Sequence, residues 1–123
     1  MITIDTSALI RFFTNDIPND AKIVKNIIDS EEEIIIPDVV FPEIEYVLLG
    51  QTYNSTRLMV LKAFQFLSLK KNIKLSAEVL LGIELYANSN LDIADCVIAG
   101  TALNIKLISF DKKLLKLVKD FTF

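Results

Sequence analysis

Short, almost wholly apolar segments alternate along this chain with longer segments of helical period. The apolar segments are ITID (2–5), EIIIP (33–37) and KLISF (106–110). A strand that is apolar on both faces is typical of a parallel sheet covered on both sides, and strands that alternate with helices build such sheets. The alternation therefore predicts a three-layer α/β fold, with a central, mainly parallel sheet flanked by helices.

Seven segments have the pattern or the end signals of helices. In 20–30, for example, Ile23, Val24, Ile27 and Ile28 follow the spacing of one helix face. The predicted helices are 6–15, capped near Thr6 or Ser7, 20–30, 37–50, with Pro42 in its first turn and Gly50 at its end, 55–69, 76–89, 91–104 and 111–120. NIKL (72–75) is predicted as a short extension and FTF (121–123) as a last strand.

The length of 123 residues fits one compact domain, so we predict a single domain over 1–123. The longest charge-free run, 46–56, has 11 residues, too few to span a membrane. The first residues, MITIDT, lack the basic start of a secretory signal. A lone cysteine, Cys96, excludes an internal disulfide and suits a reducing compartment. We therefore expect a cytoplasmic protein with no membrane association.

The absence of histidine restricts the chemistry that the chain can perform. It excludes Ser–His and Cys–His nucleophile systems and the commonest zinc sites. Catalysis would have to use carboxylates, lysines, hydroxyls or a metal bound through oxygen. The net charge of −3 does not indicate a broad surface for nucleic acid, although a local one is compatible with it.

Several acids lie where a parallel α/β fold could bring them to one rim. Asp5 ends the first predicted strand, Glu43 is early in a helix, Asp92 and Asp95 open another helix, and Asp111 follows KLISF. Carboxylates at close range repel one another and raise each other's pKa, and a divalent cation relieves that repulsion. Mg²⁺ and Mn²⁺ prefer oxygen ligands of this kind.

Each of these acids also has a purely structural interpretation. Asp5 and Asp111 could cap the helices that follow them. Glu43, like Glu45, could be a first-turn acid favoured by the helix dipole. Asp92 could be an N-cap, with Asp95 as the partner three residues on. The residues alone leave both interpretations open.

Four motifs in order resemble those of the PIN-domain family, and in particular its VapC-type toxin ribonucleases. IDTSALIRFF resembles the first motif, an acid with Ser or Asn two residues later, here Asp5 and Ser7. VVFPEIEYVL is similar to the second, which assigns its acid to Glu43, with Glu45 as the rival. The resemblance covers nearly the whole chain.

The third and fourth motifs lie in the second half of the sequence. DIADCVIAGTA resembles the third and assigns it to Asp95, while Asp92 matches an acid common in many members. LISFDKKL is similar to the fourth and gives Asp111. The chain departs from the family at Gly100, where Ala is usual, and we expect no chemical consequence.

The resemblance implies an endoribonuclease that depends on Mg²⁺ or Mn²⁺. Asp5 and Asp95 would be the primary metal ligands, Glu43 and Asp111 would complete the site, and Ser7 would hydrogen-bond in the pocket. It also implies the toxin of a type II toxin–antitoxin pair, with RNA as substrate and a cognate antitoxin as partner. Alternatives are an RNA-processing PIN nuclease without antitoxin and a degenerate PIN domain that only binds.

Surface features are less specific. Apolar residues of EIEYVLLG and STRLMVLKAFQFL exceed the needs of one core, which predicts a homodimer. Five lysines near Asp111 could contact RNA or simply form a solvated helix face, and Arg11 and Arg57 are similarly ambiguous. Those lysines are Lys106, Lys112, Lys113, Lys116 and Lys119. The aromatic residues Phe12, Phe13, Phe41, Phe64 and Phe66 are predicted in the core or an interface.

Overall fold

The computed structural model describes residues 1–121, and these form two compact units. The first unit, Met1–Leu75, contains β1 (Ile2–Thr3), α1 (Thr6–Thr14), α2 (Pro18–Ile28), β2 (Ile34–Ile35), α3 (Val40–Leu49), α4 (Arg57–Leu69) and β3 (Ile73–Lys74). The second begins at Ser76 and contains α5 (Ala77–Ala87), α6 (Ile93–Thr101), a 3₁₀ turn at Ala102–Asn104, and α7 (Lys112–Phe121).

The sheet of the first unit is parallel, with β2 between β1 and β3. Ile2 is in register with Ile34, and Ile34 is in register with Ile73. Ile34 is fully buried, as expected for the middle strand of a covered sheet. The α/β class with a parallel sheet and helices, predicted from the sequence, is confirmed, although each strand is only two residues long.

One asparagine ties the turn before β2 to the turn before β3. The Asn72 side-chain nitrogen donates to the backbone carbonyls of Ile28, Ser30 and Glu32, at 3.0–3.1 Å. The Ile34 N–H donates in turn to the Asn72 carbonyl, at 2.8 Å. These hydrogen bonds satisfy backbone groups that the two-residue strands do not pair, so they help to set the register of the sheet.

An aromatic pair lies in the core of the first unit. Phe41 of α3 and Phe64 of α4 are fully buried, with ring centroids 5.3 Å apart. Leu9 of α1 and Ile44 of α3 are also fully buried. Burying such side chains stabilises the unit by roughly 1.5–3 kcal/mol each. This core fixes the position of α1, which Asp5 precedes, and of α3, which contains Glu43.

Close packing of α5 against α6 organises the second unit, and two glycines permit it. A Cβ added at Gly82 would lie 2.8 Å from Val97 Cγ2 and 3.1 Å from Val97 Cα. A Cβ added at Gly100 would lie 3.0 Å from Leu81 Cβ and 3.1 Å from the Glu78 carbonyl oxygen. Gly100 is thus a packing residue of this unit.

The structure differs from the sequence-based predictions at several places. NIKL (72–75), predicted only as a short extension, contains β3, so the third strand of the sheet comes from this segment and not from KLISF. KLISF (106–110) was wrongly predicted as a strand, since it forms no regular structure, and Asp111 therefore follows a loop. FTF was predicted as a last strand, but Phe121 ends α7, and 122–123 lie outside the described residues. The cap of α1 is Asp5, the cap of the structural interpretation, and not Thr6 or Ser7.

The error at KLISF has a physical reason. A short apolar run has the composition of a buried strand, yet a strand also needs a neighbour with which to pair its backbone. In the described residues Ile108 and Phe110 are instead 75% and 100% exposed.

Within 1–121 there is also no helix with the length and apolar composition that crossing a bilayer requires.

The contact between Gly82 and Val97 gives a stability prediction. In an exposed helix, replacing Gly by Ala stabilises by up to about 1 kcal/mol through propensity. Here we expect Gly82→Ala to destabilise the protein by about 1–3 kcal/mol, because the new methyl group overlaps Val97. Urea unfolding followed by circular dichroism measures the change.

The control is the double variant Gly82→Ala with Val97→Ala. It removes the side-chain overlap at Val97 Cγ2 but keeps the tight backbone contact. Its destabilisation should be smaller than the sum of the two single effects. Additive effects, or a stabilised Gly82→Ala, would show that α5 and α6 do not depend on this contact.

Candidate active site

Asp5 is placed at the end of β1 and caps α1. Its backbone is extended, and its Oδ1 accepts hydrogen bonds from the Ala8 backbone N–H, at 3.1 Å, and the Ser7 hydroxyl, at 2.8 Å. The Ala8 N–H, and then the Ser7 hydroxyl, lower the pKa of the exposed Asp5 carboxyl. These hydrogen bonds therefore favour the ionised form of Asp5 and fix the direction of its carboxylate.

Glu43 is joined to the Asp5 loop through a neighbouring threonine. It lies exposed in the first turn of α3, and its Oε1 accepts a 2.6 Å hydrogen bond from the Thr6 hydroxyl. Sequence reasoning missed Thr6, although it stands directly between Asp5 and Ser7. The bond spans 37 residues of sequence, so no local pattern could have predicted it.

A surface pocket of about 430 Å³ contains these groups. Its lining residues are Asp5, Thr6, Ser7, Ile10, Arg11, Glu43 and Val47. Glu45 is not among them. Residues two apart on a helix point about 200° apart, so only one of the two glutamates can face this pocket. Within the first unit, the geometry favours Glu43 over its rival.

Arg11 brings positive charge to the wall of this pocket. Its Nη1 lies 2.7 Å from Asp16 Oδ2, and its Nε lies 3.6 Å from Asp20 Oδ2. The Tyr53 hydroxyl donates to the same Asp16 oxygen, at 2.7 Å, and this bond is the main cause of the lowered pKa of Asp16. The guanidinium is therefore held by carboxylates that do not line the pocket.

Asp92 and Asp95 open α6 in the second unit. Asp92 is the N-cap, and its Oδ1 accepts a 2.8 Å hydrogen bond from the Asp95 backbone N–H. Asp95 is partly buried, and burial is the main cause of its raised pKa. The charges of Asp92 and Asp111 raise it further. The second unit therefore gathers negative charge around Asp95.

Asp111 caps α7. Its Oδ1 accepts from the backbone N–H groups of Lys113, at 3.0 Å, and Leu114, at 3.2 Å. Asp5, Asp92 and Asp111 thus all have the capping role of the structural interpretation. In each cap the hydrogen bonds go to Oδ1. The second carboxylate oxygen can still bind a metal ion, so capping does not exclude metal ligation.

The predicted site residues divide between the two units. Asp5, Ser7 and Glu43 belong to the first, and Asp92, Asp95 and Asp111 belong to the second. Among residues 1–121, no group of three or more acidic or cysteine side chains is arranged to hold a metal ion. The four-acid site therefore stays a prediction. The donors themselves, carboxylates and a hydroxyl, are of the type that Mg²⁺ and Mn²⁺ prefer.

Comparison with protein families identifies the chain. A model of the PIN domain matches residues 2–120. This chain belongs to the PIN domain family. The match crosses the boundary between the two units and includes all four motif acids. Comparisons with curated proteins and with solved structures give no match.

Family membership carries a general expectation about activity. PIN domains are generally nucleases, and those nucleases act on RNA and typically use divalent metal ions. The acids of this PIN domain, and its lack of histidine, agree with oxygen-bound metal chemistry. This chemistry also gives a reason why Asp95 is partly buried near the charges of Asp92 and Asp111.

The charge around Asp95 gives a second stability prediction. A raised pKa in the folded state means that the ionised carboxyl costs stability at neutral pH, and that the cost disappears as pH falls through the raised value. We expect Asp95→Asn, without metal, to be at least as stable as the parent at pH 7, with a gain of up to about 1 kcal/mol. Thermal unfolding in EDTA measures this.

Asp92→Ala provides the contrast, because Asp92 holds the α6 cap. That variant should lose about 1 kcal/mol. The excess stability of Asp95→Asn should also shrink as pH falls through the raised pKa of the parent carboxyl. A clear loss of stability in Asp95→Asn at pH 7 would mean that Asp95 is a structural residue of the helix start.

Proposed function

We propose that this PIN domain is a metal-dependent endoribonuclease and the VapC-type toxin of a type II toxin–antitoxin system. The observation that carries the proposal is the family match across residues 2–120, which includes Asp5, Glu43, Asp95 and Asp111 in motif order. The raised pKa of Asp95 beside Asp92 and Asp111 supports it, since crowded carboxylates need a cation.

The acids have distinct proposed roles. Asp5 and Asp95 are the primary ligands of Mg²⁺ or Mn²⁺, and Glu43 and Asp111 complete the site, directly or through water. When bound, the ion lowers the pKa of water and offsets the charge of the phosphodiester. The Ala8 N–H and the Ser7 hydroxyl favour the ionised form of Asp5 and orient it, and the Thr6 hydroxyl orients the Glu43 carboxylate.

We propose further that the two units act as one nuclease domain over 1–123. The family model runs without a break across their boundary, and the motif acids are shared between them. A cytoplasmic location is part of the proposal, because the single cysteine, Cys96, is buried and no disulfide is available to a secreted form.

A homodimer and an antitoxin are the proposed protein partners. Tyr46 and Leu69 are 83% and 81% exposed on α3 and α4, and Leu58 and Met59 are also exposed. Apolar side chains so placed are suited to a protein interface. An RNA-processing nuclease without antitoxin would have the same site. A small open reading frame next to the gene, which could encode an antitoxin, would distinguish the toxin from such a nuclease. A degenerate binding module would show no cleavage.

Metal dependence is the decisive test of the nuclease. Purified protein incubated with a panel of structured RNAs should cleave with Mg²⁺ or Mn²⁺ and should lose cleavage in EDTA. End mapping of the products locates the cut. Asp95→Asn should be inactive because it lacks a ligand charge. Cleavage at full rate in EDTA would contradict the metal mechanism, and no cleavage by the parent with either metal would contradict the nuclease.

Glu43 and Glu45 provide a matched pair of variants. Glu43 lines the pocket with Asp5, and Glu45 does not. Glu43→Gln should therefore lower the cleavage rate at least about 100-fold, since metal-site residues give large effects, while Glu45→Gln keeps most activity. Both changes remove one charge at nearly constant volume, so stability should change little. The reverse ranking would assign the motif acid to Glu45.

A further inference from the structure

Phe110 is the most exposed large apolar side chain in residues 1–121. Its side chain is 100% accessible, and the neighbouring Ile108 is 75% accessible. Phe110 directly precedes Asp111, the acid of the fourth motif. A fully exposed aromatic ring beside a candidate catalytic carboxylate gains nothing from the fold, so its position points to a ligand.

The backbone around Phe110 is fixed by hydrogen bonds. The Asp111 N–H donates to the Ser109 hydroxyl, at 3.0 Å, and the Asp111 carbonyl accepts from the Leu115 N–H, at 3.0 Å. The Asp111 side chain caps α7, which is anchored in turn by the buried Leu114 and Leu117. Phe110 therefore directly precedes an anchored helix start, which limits how far the ring can move from Asp111.

The segment that contains Phe110 is rich in lysine, although the protein as a whole is acidic. Residues 105–121 contain five lysines and two aspartates, whereas the whole chain has a net charge of −3. Lys116 is paired with Asp120, at 2.7 Å. Lys112 and Lys113 are exposed in the first turn of α7, where the helix dipole disfavours positive charge. A local arrangement that works against helix stability is often explained by function.

We propose that Phe110, with Lys112 and Lys113, forms a base-stacking subsite for RNA. An unpaired base stacks on the Phe110 ring, and the lysines contact the flanking phosphates. Consecutive Cα atoms lie about 3.8 Å apart, so the stacked nucleotide adjoins the phosphodiester presented to Asp111. The subsite rests on the proposed function for its substrate, and it adds the requirement that this nucleotide be free of a base pair.

The lysines favour RNA over a protein as the occupant. The cores of protein interfaces are enriched in aromatic residues but depleted in lysine. Sites for single-stranded nucleic acid combine the two, because bases stack on aromatic rings and phosphates attract cations. A second copy of this chain, with its net negative charge, would use the lysines but has no need for an exposed ring next to Asp111.

Equilibrium binding tests the subsite without any requirement for catalysis. The probe is a short, fluorescein-labelled single-stranded RNA of mixed sequence, measured by anisotropy in EDTA. Phe110→Ala and Phe110→Leu should each weaken binding by about fivefold to 100-fold, the range of one base–aromatic interaction. Phe110→Trp should bind as well as the parent or better. Ile108→Ala, the matched control in the same segment, should change binding by less than about twofold, since an aliphatic side chain offers no stacking surface.

The lysine contribution has a separate signature. Lys112→Gln with Lys113→Gln should reduce the slope of log affinity against log salt concentration by about 0.7 for each phosphate that the lysines no longer neutralise. Pairing the probe with its complement should weaken binding to the parent and remove the difference between the parent and Phe110→Ala. Thermal unfolding should be the same for all Phe110 variants, because the ring is exposed.

Several outcomes would overturn the subsite. Equal affinity of Phe110→Leu and the parent would mean that only apolar area matters at this position. A Phe110→Ala variant that binds RNA normally but changes mass in light scattering would assign the ring to a protein interface. Absence of RNA binding by the parent would also reject it. Cleavage that depends on metal but not on Phe110 rejects the subsite alone, and Phe110-dependent binding without cleavage rejects the nuclease alone.

Discussion

Capping of helix starts by aspartate underlies both the architecture of this PIN domain and its candidate chemistry. Asp5, Asp92 and Asp111 each accept backbone N–H groups at the beginning of a helix. A carboxylate at such a position satisfies donors that the helix leaves unpaired, and it is favoured by the dipole. Two of the four motif acids, Asp5 and Asp111, are therefore held by the same hydrogen bonds that define where helices begin, and Asp92 holds the start of the helix that contains Asp95.

Asp5 and Asp95 lie in opposite electrostatic environments. Hydrogen bonds from Ala8 and Ser7 lower the pKa of Asp5, so its stabilising contribution is present above the unfolded pKa and is lost as pH falls through the lower folded value. Burial and like charges raise the pKa of Asp95, so it costs stability when ionised. The fold thus favours the ionised form of Asp5 and disfavours the ionised form of Asp95.

The second unit departs from simple stability rules at two places that have different explanations. Gly82 and Gly100 lower helix propensity, yet they let α5 and α6 approach closely, so their cost is offset by packing. Lys112, Lys113 and the exposed Phe110 have no comparable packing reason in the fold. Departures without a structural compensation are where binding surfaces are expected.

The sequence by itself predicted the order of the helices and an α/β class with a parallel sheet, because helical periods, proline and glycine positions and apolar runs are local properties. It placed the third strand in KLISF, whereas the structure has that strand at Ile73–Lys74. It could not tell whether Asp5 or Thr6 caps α1, nor whether KLISF pairs as a strand. Only the tertiary structure decided that Thr6 bonds Glu43, that Asp95 is partly buried and that Phe110 faces solvent. These features depend on contacts between residues distant in sequence and on solvent exclusion, which no local pattern encodes.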